Sequence, residues 1–127
     1  MNNPENLVSY AIRGAAFKVY NNLGAGLLES LYQTALAHEL EKEGHIVRVQ
    51  VAVPVIYDGI KIEQGFRLDM LVDGLVIVEI KSVDELHPVH YKQLTTYLKL
   101  TGLKLGLLIN FNTADLNESI KRIANKL

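Results

Sequence analysis

The sequence predicts an α/β domain in which a mixed β-sheet is flanked by helices. Three observations predict it. Apolar residues recur at helical spacing through the first third of the chain. A period-two run ending in Asp58-Gly59 follows, which signals a hairpin. After it, an apolar strand is joined to a second apolar strand through a helical segment, the pattern of a crossover.

The first helix is read from Glu5 to Leu23, with Leu7, Ile12, Ala15, Ala16, Val19 and Leu23 on one face. Leu23-Gly24-Ala25-Gly26 breaks it, because two glycines so close make a poor helix interior. A second helix runs from about Leu28 to Glu43 on a face of Leu28, Leu31, Tyr32, Ala35, Leu36 and Leu40, and Gly44 stops it. Val47, Val49, Val51, Val53, Val55 and Tyr57 then fall on alternate positions, with Arg48 and Gln50 between them, predicting a strand with one buried face. A second strand spans about Lys61 to Leu71, and a third Leu75 to Lys81. The third is apolar and β-branched almost throughout, so it belongs in the middle of the sheet. Pro88 opens a helix that ends at Thr101-Gly102, and Leu103 to Phe111 forms a fourth, buried strand. The remainder, from about Ala114 to Lys126, reads as a final helix with Lys121, Arg122 and Lys126 in its C-terminal half.

At 127 residues and 14.2 kDa the chain has the size of one domain, residues 1–127. A hydrophobic fraction of 49% fills its core without disulfides, and there are no cysteines. That removes a disulfide scaffold, a thiolate metal site and a cysteine nucleophile, and suits a reducing compartment. The polar start, Met1 to Asn6, lacks a targeting pattern. The most apolar segment, Leu68 to Ile80, is interrupted by Asp69, Asp73 and Glu79, well short of the ~20 residues of a membrane span. The expectation is a soluble, cytoplasmic protein with no membrane partner. Net charge −1 and pI near 6.4 argue against a protein that coats nucleic acid. They leave room for a transient encounter in which bound cations supply the positive charge.

Asp69 lies in the second strand, and Glu79-Ile80-Lys81 ends the third. Glu79 and Lys81 are two apart in a strand and share a face. An acid and an ammonium in a run of Leu, Val and Ile are costly if buried unpaired. Alone, they fit a Lys–Glu pair at a solvated strand end. Asp69 adds chemistry only in the right register. A two-residue Asp73-Gly74 turn would set Asp69 against Val78 and turn it to the opposite face. A three-residue Val72-Asp73-Gly74 loop, or an equivalent bulge, pairs Asp69 with Ile77 and brings Asp69, Glu79 and Lys81 to one face. The latter is expected. Two carboxylates and the Ile80 carbonyl then make a partial shell for Mg²⁺, with Mn²⁺ as substitute, and Lys81 stands where it can orient a water.

At these residues the sequence resembles the PD-(D/E)XK nuclease superfamily, the fold of many restriction endonucleases and RecB-type nucleases. Asp69, a spacer of about ten residues and Glu79-Ile80-Lys81 match its signature, with Leu68 in place of the nominal proline. Gly26-Leu27-Leu28-Glu29-Ser30-Leu31-Tyr32 reads Gly-x-x-Glu-x-x-Tyr, which resembles the small bacterial and archaeal GxxExxY family from about Glu5 to Asn112. Gln93-Leu94-Thr95-Thr96-Tyr97 has the Gln-x-x-x-Tyr form of RecB-like and λ-exonuclease-like enzymes. The resemblance implies a restriction endonuclease-like αβββαβ core and a Mg²⁺-dependent nuclease acting on DNA rather than RNA. It implies Asp69, Glu79, Lys81, Glu29 and Gln93 in the catalytic set, with Glu29 joining Asp69, Glu79 and Ile80 around the metal directly or through water. Gln93 and Tyr97 would buttress the site or touch a phosphate. The plainer alternatives are a solvated first-turn Glu29 and a Tyr97 and Tyr32 that serve as core. A fold that keeps this shape but serves binding or assembly is the competing reading, and a homodimer is compatible with so small a chain.

Among the histidines, His87 and His90 bracket Pro88 close behind the Glu-x-Lys strand, and His90 is the one placed to meet a phosphate; His38 and His45 read as surface or edge residues. No zinc spacing, Gly-rich phosphate loop or serine-nucleophile elbow occurs.

Overall fold

Helices cover both faces of one five-stranded sheet, ordered β1-β2-β3-β4-β5. The computed structural model describes residues 3–127; the first two residues of the polar N-terminal stretch lie outside the described residues. The elements are α1 (Pro4–Leu23), α2 (Glu29–Lys42), β1 (Val47–Tyr57), β2 (Ile60–Val72), β3 (Val76–Lys81), α3 (Pro88–Thr101), β4 (Leu105–Asn110), a 3₁₀ turn (Leu116–Ser119) and β5 (Ile120–Ala124). β3 pairs antiparallel with β2 and parallel with β4, so the sheet is mixed and its apolar third strand is central. Among the described residues no helix is long and apolar enough to cross a membrane.

The two faces of β3 build two cores. Val76, Val78 and Ile80 pack beneath α1 and α2 with Ile12, Ala16, Tyr32, Leu36 and Leu40. Ile77 packs beneath α3 with Leu94, Tyr97 and Leu98. The helical faces differ in detail from expectation. Val8 rather than Leu7 enters the core, and Leu28 and Leu31 stay largely exposed. Along β1 only Val51 is fully buried. As an edge strand it has no strand neighbour on one side.

The final helix is a correction. Ile120–Ala124 adds a strand to the free side of β4, pairing Ile109 with Ile120 and Leu105 with Ala124. Asn125 locks the end of that strand by donating from Nδ2 to the carbonyls of Leu98 and Leu103. The unpaired edge of β4 offers a full ladder of hydrogen bonds, which outweighs the local helical spacing of Leu116, Ile120 and Ile123.

The turn between β2 and β3 fixes the register. Asp73 and Gly74 both take positive φ, 53° and 66°, and Leu75 N–H donates to Val72 O at 3.0 Å. Leu75 is then an extra residue, and the pairs run Val72–Val76, Leu71–Ile77 and Met70–Val78. The connection is a bulged one, as expected, but shifted by one position. Its loop is Asp73-Gly74-Leu75, and Asp69 stands opposite Glu79 instead of Ile77. The parity that joins the two acids is kept.

Asp73 also clamps this turn to the start of β1, accepting from Ile46 N–H at 2.8 Å and from His45 Nδ1 at 2.6 Å. Partial burial raises its carboxyl, but the His45 and Ile46 hydrogen bonds outweigh that and hold it below the usual range. A depressed folded pKa means the clamp contributes fully above the unfolded value and is lost as pH falls through the folded one. Asp73→Asn keeps the left-handed turn and removes the charge. Its melting temperature is expected to lie below wild type at pH 7, with the difference closing as pH falls below the ordinary Asp range, as thermal melts into acid will show.

Candidate active site

The β2–β3 ladder ends at Met70–Val78, and two carboxylates fill the gap beyond it. Glu79 Oε2 accepts the Asp69 N–H at 3.0 Å, while Asp69 Oδ2 accepts the Ile80 N–H at 2.8 Å. Each acid thus has one oxygen tied to the opposite strand's backbone and one without a hydrogen bond among the described residues. Glu79 is 4% exposed. Burial first, and then the charge of Asp69, push its carboxyl up to about 8. Burial also raises Asp69, against the Ile80 hydrogen bond and the Lys81 charge. Two acids in one dehydrated gap disfavour each other's ionised form.

Lys81 ends β3, half-buried, with its carbonyl accepting from Phe111 N–H at 2.9 Å. Its charge lowers the carboxyls of both acids. Among the described residues its ammonium forms no ion pair, so it remains available.

Glu29, the first residue of α2, accepts from Ser82 N–H at 3.3 Å, and its charge reaches both Asp69 and Glu79. The loop ahead of it is tied down by two hydroxyls. Tyr32 donates to Gly24 O at 2.6 Å and accepts from Leu27 N–H at 3.2 Å, while Ser82 donates to Leu27 O at 2.6 Å. Gly26 takes φ 90°, open to glycine at little cost. The Gly-x-x-Glu-x-x-Tyr segment is therefore one unit. Its glycine permits the bend, its tyrosine anchors it, and its glutamate points to the acids. Tyr32 is fully buried and stacked on Phe111, at 4.4 Å between ring centroids.

α3 carries His90, Gln93 and Tyr97 at intervals that share one side. His90 Nδ1 accepts from His87 N–H at 3.0 Å, closing the helix's own N-terminus. Burial, with the charges of Lys81 and His87, lowers its pKa, and because Nδ1 accepts, the neutral ring carries its proton on Nε2. Tyr97 is 9% exposed and stacks on Phe66 at 4.3 Å. Burial and the charges of Glu79 and Asp69 raise its phenol. Gln93 is exposed and makes no hydrogen bond among the described residues.

A family model described as the PD-(D/E)XK nuclease superfamily matches residues 6–123. The chain belongs to that superfamily. No curated protein and no solved structure matches it significantly. Members of the PD-(D/E)XK superfamily are typically phosphodiester-hydrolysing nucleases, and they generally use divalent ions such as Mg²⁺.

The donors present in this PD-(D/E)XK chain fit such an ion. The free oxygens of Asp69 and Glu79 are hard ligands, and the raised carboxyl of Glu79 marks a site where a cation would replace a proton. Among the described residues no three Asp, Glu, His or Cys side chains form a ready-made shell. An ion held here keeps several waters, as Mg²⁺ does. A cleft of about 400 Å³ leads to Asp69, lined also by Glu29, Ser30, Gln33, Gln50 and Ile80.

Sequence reasoning did not single out Gln33, Gln50, Ser82 or Asn110. Asn110 is 5% exposed and holds the loop after β3, accepting from Val83 N–H at 3.1 Å and donating to Val83 O at 2.9 Å. None of these residues belongs to a motif, and their partners lie far away along the chain.

Proposed function

We propose that this chain is a Mg²⁺-dependent phosphodiester hydrolase acting on DNA, in a single domain of the GxxExxY type. The observation that carries the reading is the reciprocal Asp69–Glu79 arrangement at the ladder's end, flanked by Lys81 and Glu29. Asp69, Glu79 and the Ile80 carbonyl hold the ion, with Glu29 contributing through water. When bound, the ion supplies charge that polarises a phosphoryl oxygen and makes water nucleophilic near neutral pH.

The chain's own groups do the rest. Lys81 orients the attacking water and offsets charge that develops on the phosphoryl oxygens. Tyr97 and Gln93 support the site from α3, and His90 presents Nε2–H to a phosphate oxygen. The near-neutral net charge suits a transient grip on DNA. A cut through both strands needs two such centres, so we also propose a homodimer; light scattering that finds monomer alone at working concentration removes that part.

The test is cleavage of single- and double-stranded DNA and of RNA in Mg²⁺ or Mn²⁺, against Asp69→Ala. Cleavage by wild type and none by the variant supports the reading. Equal cleavage reveals a contaminant. The second reading, a catalytically silent module for binding or assembly, is favoured by the lack of a three-ligand shell among the described residues. Failure of the protein to take up Mg²⁺ or Mn²⁺ at millimolar concentration, in calorimetry, would select it.

A further inference from the structure

Gln50 occupies a backbone conformation that its position in β1 does not require. Its φ is 50°, in the left-handed region that glycine or asparagine ordinarily fills, yet it lies inside a strand and not in a turn. The pairs on either side, Val49–Met70 and Val51–Leu68, are regular, which leaves Gln50 facing Asp69 across the interrupted ladder. Two hydrogen bonds fix it there. Its carbonyl accepts from Arg67 Nη1 at 3.2 Å. Its Nε2 donates to Gln33 Oε1 of α2 at 2.8 Å. The same carboxamide stands near the Asp69 carboxyl and favours its ionised form. Both glutamines and Asp69 line one cleft.

We infer that Gln50 is a positioning residue for Asp69, aimed by its left-handed backbone and held in the correct amide orientation by Gln33. A carboxamide nitrogen has two hydrogens. With one given to Gln33 Oε1, the other is directed to the carboxylate. The flipped amide would lose the Gln33 bond and set Oε1 toward a negative oxygen. Asp69 is thereby tied by the Ile80 N–H and faced by the Gln50 carboxamide in the same cleft, which orients its second oxygen. Non-glycine residues in such backbone regions persist where the surroundings over-determine them, and they cluster at functional sites. The inference rests on the metal-dependent reading of the site.

The experiment is calorimetric titration with Mn²⁺ alone, together with thermal melts of the metal-free protein, for wild type, Gln50→Gly and Gln33→Ala. Glycine accepts φ 50° without strain, so the strand is retained. Gln50→Gly is expected to weaken Mn²⁺ binding about tenfold, the usual effect of removing a ligand's supporting partner. Its melting temperature is expected to stay level or rise. Gln33→Ala weakens binding in the same direction by less. Wild-type affinity in Gln50→Gly overturns the inference alone, as does an affinity loss accompanied by a matching fall in melting temperature, which would be a purely structural role. No Mn²⁺ uptake by wild type overturns the metal-dependent reading and this inference with it.

Discussion

Lys81→Met is expected to lower DNA cleavage about 10²–10³-fold at saturating Mg²⁺ while leaving the fold intact. The side chain is half-buried at the end of β3 and forms no ion pair among the described residues, so its loss breaks no bond that holds the strands. Methionine keeps much of the apolar stem's packing. What disappears is a charge beside the reacting centre. The loss should therefore fall on kcat, and Mg²⁺ uptake should persist, because removing an ammonium also removes a repulsion on the incoming cation. Asp69→Asn should differ by losing uptake and turnover together. Single-turnover cleavage with a parallel Mg²⁺ titration separates the two. Lys81→Met that cleaves like wild type would take the lysine out of the chemistry. Loss of uptake and turnover together in Lys81→Met would make it a structural support for the acids.

Those residues were legible because strand periodicity is local. Glu79 and Lys81 share a face by spacing alone, and Asp73-Gly74 announces a tight turn. The choice between registers followed from a chemical demand, since only even parity brings Asp69 to Glu79. The one-position shift could not be read, because it depends on Asp73 reaching back to His45 and Ile46, 28 and 27 positions away respectively. β5 was hidden for a related reason. Leu116, Ile120 and Ile123 keep helical spacing, and only the free edge of β4 makes Ile120–Ala124 a strand. Gln50 was read as an outward-facing residue of an alternating run. Its left-handed backbone is held by bonds to Arg67 and Gln33, and no neighbour in sequence hints at it.

Glu79→Gln is expected to make the metal-free protein more stable while abolishing its function. In wild type, burial and the Asp69 charge push the Glu79 carboxyl from the ordinary 4.5 up to about 8. A raised acid binds its proton more tightly in the folded state, so stability is greatest below the unfolded pKa, declines as pH rises from there, and reaches its floor above the folded pKa. Each pKa unit corresponds to about 1.4 kcal/mol, so the cost above pH 8 is of the order of several kcal/mol. Glutamine has the same shape, and its Oε1 can still accept the Asp69 N–H, but it never ionises. Melting temperatures in chelator should therefore fall for wild type between about pH 5 and 9 and stay much flatter for Glu79→Gln, with the variant ahead by the widest margin at pH 9. Mg²⁺ should reverse the order, restoring wild type and leaving the variant unchanged. Uptake by wild type near pH 7 should release a proton, which calorimetry in two buffers of different ionisation enthalpy detects. A wild-type melting temperature indifferent to pH over that range, or a variant less stable than wild type at pH 9, would mean that the two acids do not compete for one dehydrated gap, and that the site lacks the electrostatic vacancy a divalent ion would fill.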